Sequence, residues 1–168
     1  MPFPTLDGFG PTRQTLQRYA RALSGVARVH GVAHPNWWHI SLRVTPSGLQ
    51  GDNIPLPGGG ILAGRLDLLS HRLVVWTSGG GEWALPLDAG LSGTAMGEKV
   101  IAAVAEAGLH GDYDRQKFAS DAPGVYDADA VGRFFAALVK ADRSLKKHRA
   151  RLTGNTGPVQ FWPHGFDL

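Results

Sequence analysis

The stretch GILAGRLDLLSHRLVVWTSGGGEWALPL, residues 60–87, decides the fold class. Leu62, Leu66 and Leu68 alternate with Arg65 and Asp67, the period-two pattern of a strand with one face buried. A turn at Ser70-His71 leads into Leu73-Val74-Val75-Trp76-Thr77, Gly79-Gly80-Gly81 makes the next turn, and Trp83, Leu85 and Leu87 mark a further strand. Connections this short join antiparallel neighbours, because a parallel crossover needs a dozen or so residues. The core of the chain is therefore an antiparallel β-meander.

Upstream, Trp38, Ile40, Leu42 and Val44 alternate with His39, Ser41, Arg43 and Thr45, which predicts an earlier strand over 38–45. Residues 46–60 read as a long loop ending in Pro57-Gly58-Gly59-Gly60. Before these lies an irregular lead-in over 1–11, then a helix from a Thr12 cap to about Val29. Its stripe is Leu16, Tyr19, Leu23 and Val26, its arginines lie largely off that stripe, and Gly31 and Pro35 end it. Downstream, a second helix spans about 92–107, with Val100, Ile101 and Val104 inward and Gly108 past its end. Residues 109–126 read as irregular. A third helix starts at the cap Asp127 and runs to about Leu152, with the stripe Val131, Phe134, Phe135, Leu138, Leu145 and Leu152. The reading is a single α+β domain over 1–168. Three helices pack on one face of the meander, and a C-terminal strand or extended segment from Val159 docks on the sheet.

The 168 residues are 43% hydrophobic and 18% charged, a composition suited to a globular domain. No apolar run reaches the roughly eighteen residues of a membrane span. Met1-Pro2-Phe3-Pro4 lacks the basic and apolar regions of a signal peptide. There is no cysteine, which excludes disulfides and thiolate chemistry and fits a cytoplasmic location. Gly58-Gly59-Gly60-Ile61-Leu62-Ala63 formally matches a dinucleotide fingerprint, but a strand follows it where the fingerprint needs a helix.

Two aromatic–histidine segments stand out: Trp37-Trp38-His39, and Phe161-Trp162-Pro163-His164-Gly165-Phe166 in the C-terminal tail. The tail is too apolar to hang in solvent, so docking is expected to bring His164 near the 37–39 segment. A site built there has His39 and His164 as proton-transfer groups, Trp37 and Trp162 as aromatic walls, and Arg43 as an anion anchor. Arg65 and Asp67 join the ligand-binding set if the first two strands pair, because His39, Ser41, Arg43, Arg65 and Asp67 would then share one face. The competing reading of that face is the solvated side of a half-covered sheet. Surface or aromatic-packed histidines are a better account of His30, His34, His39 and His71 than a metal site, so no metal is expected, and no cofactor is indicated. Arg143, Lys146, Lys147, Arg149 and Arg151 form a basic run at a helix end, where cations complement the dipole. A nucleic-acid or protein interaction surface on 143–151 is the alternative function, and nucleic acid is the weaker of those two. Asp142 falls on the apolar stripe, which predicts a buried structural ion pair with Lys146 or Arg149.

The chain also resembles an uncharacterised bacterial family, a domain of unknown function. The resemblance rests on Trp37-Trp38-His39, Gly48-Leu49, Ile54-Pro55, Asp67 with His71, and Thr77-Ser78-Gly79-Gly80. It continues through Tyr126-Asp127, Arg133-Phe134, Asp142-Arg143, Lys147, Arg149, Pro158-Val159 and Phe166-Asp167-Leu168. Pro123 stands where the family commonly has His, Asn155 where it often has Lys, and family members typically continue past the Phe-Asp-Leu element. The resemblance implies no activity, substrate or cofactor. The functional expectation is a small, anionic ligand held in a Trp/His-lined pocket, with catalysis left open.

Overall fold

The computed structural model describes residues 3–168. Residues 1 and 2 of the expected lead-in lie outside the described residues. Helix α1 spans Gly10–His30, so it starts before Thr12. Pro11 stands in its first turn, where a missing N–H costs nothing. Thr12 is no cap. It is buried, and its hydroxyl accepts the backbone N–H of Asp127 while Thr15 accepts that of Val125. These two hydroxyls satisfy a distant segment. Leu16, Tyr19, Leu23 and Val26 are buried as their spacing requires.

The expected strand over 38–45 begins late. Trp38–Ile40 is a 3₁₀ turn entered through Trp37 at φ 59°, and strand β1 covers Leu42–Thr45. Local hydrogen bonds win here. Ile40 and Ser41 donate to the carbonyls of Trp37 and Trp38, and the Ser41 hydroxyl donates to Trp38 as well. His39 and Ser41 are consequently buried.

Residues 46–60, read as a loop, contain two short strands, β2 (Gly48–Gly51) and β3 (Ile54–Pro55). They lie successively along β4 (Ile61–Asp67), which is followed by β5 (Arg72–Thr77) and β6 (Glu82–Pro86). The order is β1-β2-β4-β5-β6 with β3 beside β4, and every pairing is antiparallel. Gly48 makes the β1–β2 hairpin possible: at φ 155°, any Cβ would collide with the Leu66 carbonyl. Leu42, Leu49, Leu62, Leu66, Leu73 and Val75 form the inner sheet face.

Helix α2 spans Gly93–Glu106, with the Ser92 hydroxyl accepting the Ala95 N–H. Its Gly97 lies directly under the Phe118 ring, where a Cβ would clash, so Phe118 wedges between α2 and α1 at Gly25. Helix α3 covers Ala128–Arg149 and is capped by Asp127. Its stripe is buried from Val131 to Leu138, but Leu145 and Leu152 are exposed and the last turns project from the domain. The tail docks through backbone hydrogen bonds between Phe161 and Leu42, both 2.8 Å. Phe9, Phe134 and Phe166 then stack in sequence across the core, and Phe161 meets Phe166 edge-on. The architecture is α+β: three helices and a mostly antiparallel six-stranded sheet.

Candidate functional site

One cavity of about 500 Å³ opens where α1, the 3₁₀ turn, the segment after α2 and the tail meet. That volume is in the range of small-molecule sites. Arg21, Ser24, Gly25, Arg28 and Val29 line it from α1, Ile40 from the 3₁₀ turn, Asp112, Asp114 and Lys117 from the third wall, and Pro163 and His164 from the tail. Seven residues separate Arg21 from Arg28, so both lie on one helical face, about 10 Å apart along the axis.

The walls are tied together by α1. Arg21 donates to the carbonyls of His164 at 2.7 Å and Lys117 at 3.4 Å. Gln17 donates to the His164 carbonyl at 2.6 Å, and Arg13 to that of Gly165 at 2.7 Å. The turn at Pro163, His164 and Gly165 is closed by hydrogen bonds between Trp162 and residues 166 and 167. At the far end of α1, His30 Nε2 and the Tyr113 hydroxyl are 2.7 Å apart, which fastens the third wall. Burial, helped by nearby His110, lowers the His30 pKa, while burial raises that of Tyr113.

Two tryptophans touch residues of the cavity wall. The Arg28 guanidinium lies 4.8 Å from the centre of the Trp37 ring, and the Trp162 ring meets His164 edge-on at 5.8 Å. Trp37 also stacks on His39, and Trp38 on His34. His39 is only 6% exposed and its Nδ1 accepts the His34 N–H. Burial lowers its pKa, with Arg28 and His34 adding to the effect and Asp52 opposing it. His39 is a neutral, packed imidazole behind Ile40. His164 lines the cavity itself.

The remaining candidates lie elsewhere. With β2 between β1 and β4, Arg43, Gln50 and Arg65 stand in one row on the outer sheet face. Arg43 pairs with Asp52 at 2.8 Å, and Arg65 pairs with Asp67 at 3.3 Å while covering the Trp76 ring. Burial pushes the Asp67 pKa up, but hydrogen bonds from Ser70, the Arg65 charge and Leu69 outweigh it, and the net shift is downward. That carboxylate shapes the turn bringing His71, at φ 55°, within 2.7 Å of the Tyr126 hydroxyl. His39 and Ser41 are buried away from this row, and neither Trp37 nor Trp162 lines the cavity. Asp142 is 8% exposed and receives Lys146 Nζ at 2.7 Å. Among the described residues no group of three or more metal-ligating side chains comes together, and no helix is long and apolar enough to cross a membrane.

Arg28, Asp112 and Lys117 escape the reading of the sequence. The seven-residue spacing of Arg21 and Arg28 is a usable signal; the aperiodic third wall offers none. Residues 2–168 match the family described as "Family of unknown function (DUF5996)", in keeping with the resemblance noted from the sequence. No curated protein and no solved structure matches the chain.

Proposed function

The chain belongs to the DUF5996 family, and on that premise we propose that it binds a small molecule with an anionic group and an apolar body in the α1–tail cavity. The observation that carries this reading is that the C-terminal aromatic–histidine segment reaches the α1 cavity through His164, while Ile40, the residue after His39, lines the same cavity. Arg28, held against Trp37, is the anion anchor. Val29, Ile40 and Pro163 offer apolar contact. Any proton transfer falls to His164, which lines the cavity and meets the Trp162 ring edge-on.

Native mass spectrometry of the protein as purified tests this. The expected spectrum carries an adduct that disappears in Arg28→Ala and in His164→Ala while both variants keep the wild-type melting temperature. No adduct, together with no thermal stabilisation by a panel of carboxylates and phosphate esters, would sink the reading.

A second reading has its own support. Arg143 and Lys147 lie on one side of the projecting end of α3, with Arg151 just past it, and every residue from 143 through 157 is exposed. A polyanion docking there would neutralise these cations, and its affinity would fall steeply with salt. Only weak binding of this kind is expected, with a Kd above about a micromolar at physiological salt. Tighter binding, with a slope flattened by neutralising Lys147 and Arg149, would reverse the ranking.

A further inference from the structure

Two opposite charges line the cavity without pairing with each other. Arg28 makes its contact with the Trp37 ring, and among the described residues no carboxylate lies within ion-pair distance of it. Asp112, in the lining of the same cavity, takes part in no hydrogen bond or ion pair among the described residues, although its charge is felt by Arg115. Its neighbours are otherwise engaged: Arg115 with Glu98 at 2.6 Å, and Lys117 with Asp114 at 3.7 Å. The cavity lining thus offers a guanidinium and a carboxylate that are not ion-paired, together with the apolar Val29, Ile40 and Pro163.

A purely anionic ligand would satisfy Arg28 and be repelled by Asp112 and Asp114. A purely cationic ligand would meet the reverse at Arg21 and Arg28. A molecule carrying both charges, separated by an apolar spacer, satisfies both walls at once. Arg21 is held through its two terminal nitrogens by the carbonyls of Lys117 and His164, while its Nε is buried without a hydrogen-bond partner. The Trp37 ring, itself stacked on His39, lies against the Arg28 guanidinium.

We infer that the ligand is a zwitterion of the ω-amino-acid or short-peptide type, its carboxylate on Arg28 and its ammonium on Asp112. This deepens the proposed function and rests on its cavity being the binding site.

Three probes matched in chain length separate the two levels: ε-aminocaproate, caproate and hexylamine, each titrated calorimetrically into the full chain. The zwitterion is expected to bind at least about tenfold more tightly than either singly charged probe. Asp112→Asn should collapse its advantage over caproate to about one, and Arg28→Gln its advantage over hexylamine. Both positions are at the surface, and a melting curve for each variant verifies that it is folded. Caproate binding as tightly as ε-aminocaproate would overturn the zwitterion and leave the anion-binding reading standing. Absence of binding by all three at millimolar concentration, with no adduct in the purified protein, would overturn both. A zwitterion advantage that survives Asp112→Asn would overturn the assignment of the ammonium to that wall.

Discussion

At the scale of single residues, the Asp142 pair shows where a buried charge is vulnerable. Lys146 is about half exposed and can turn to water if its partner goes, whereas Asp142 is buried and its Oδ1 already lacks a hydrogen-bond partner. Lys146→Met strands the carboxylate and should cost about 2–4 kcal/mol, while Asp142→Leu continues the apolar stripe and should cost less than about 1 kcal/mol. Urea denaturation of the two variants checks the order; equal losses would contradict it. His39 supplies a pH-dependent counterpart. Its folded pKa lies below the ordinary value of about 6.5, so the unfolded chain binds the proton more readily. Its contribution is present above about pH 6.5 and is lost as pH falls through the folded pKa; His30 acts in the same direction. The melting temperature should therefore fall between about pH 7 and pH 5, and less steeply in His39→Gln. The sequence makes Asp142 and His164 legible, because each breaks an apolar pattern. It hides Asp112, since an irregular segment has no period to break.

Among the elements, helices are the most legible, because a stripe such as Leu16, Tyr19, Leu23 and Val26 extends over several turns and averages out local exceptions. β2 and β3 are not. Gly48-Leu49-Gln50-Gly51 has glycine at both ends and one large apolar side chain, and its strand character comes from pairing with β1 and β4. The 38–41 segment misleads in the opposite sense: its alternation is strand-like, yet the bonds among His34, Trp38 and His39 coil it. The apolar stripe of α3 likewise outruns the core that could cover it at Leu145 and Leu152. The docked tail is the element with the largest stake in stability. Phe161 is fully buried and Phe166 nearly so. Each contributes about 2–3 kcal/mol through burial, and Phe161→Ala should cost about 3–5 kcal/mol. Deleting residues 160–168 should remove most of the cooperative transition in a thermal melt; an unchanged transition would mean the tail is an ornament.

For the whole molecule, the outer sheet face and the projecting α3 are solvated surfaces, and the cavity is its one drug-sized concavity among those described. A ligand that binds the folded state at a hundred times its Kd should raise stability by about 2.7 kcal/mol, seen as a shift in the urea midpoint without a change in slope. Arg13, Gln17 and Arg21 reach the tail across sequence separations of 152, 147 and 143 residues. Contacts between such distant parts of the chain come late in folding, since loop closure must precede them. The cavity is thus assembled by the slowest class of event available to this topology. Recognition becomes a report on maturation: a chain that has formed its helices and meander but not yet brought its two ends together has no place to hold a ligand, and in a stopped-flow refolding experiment ligand capture should lag behind the return of helical signal.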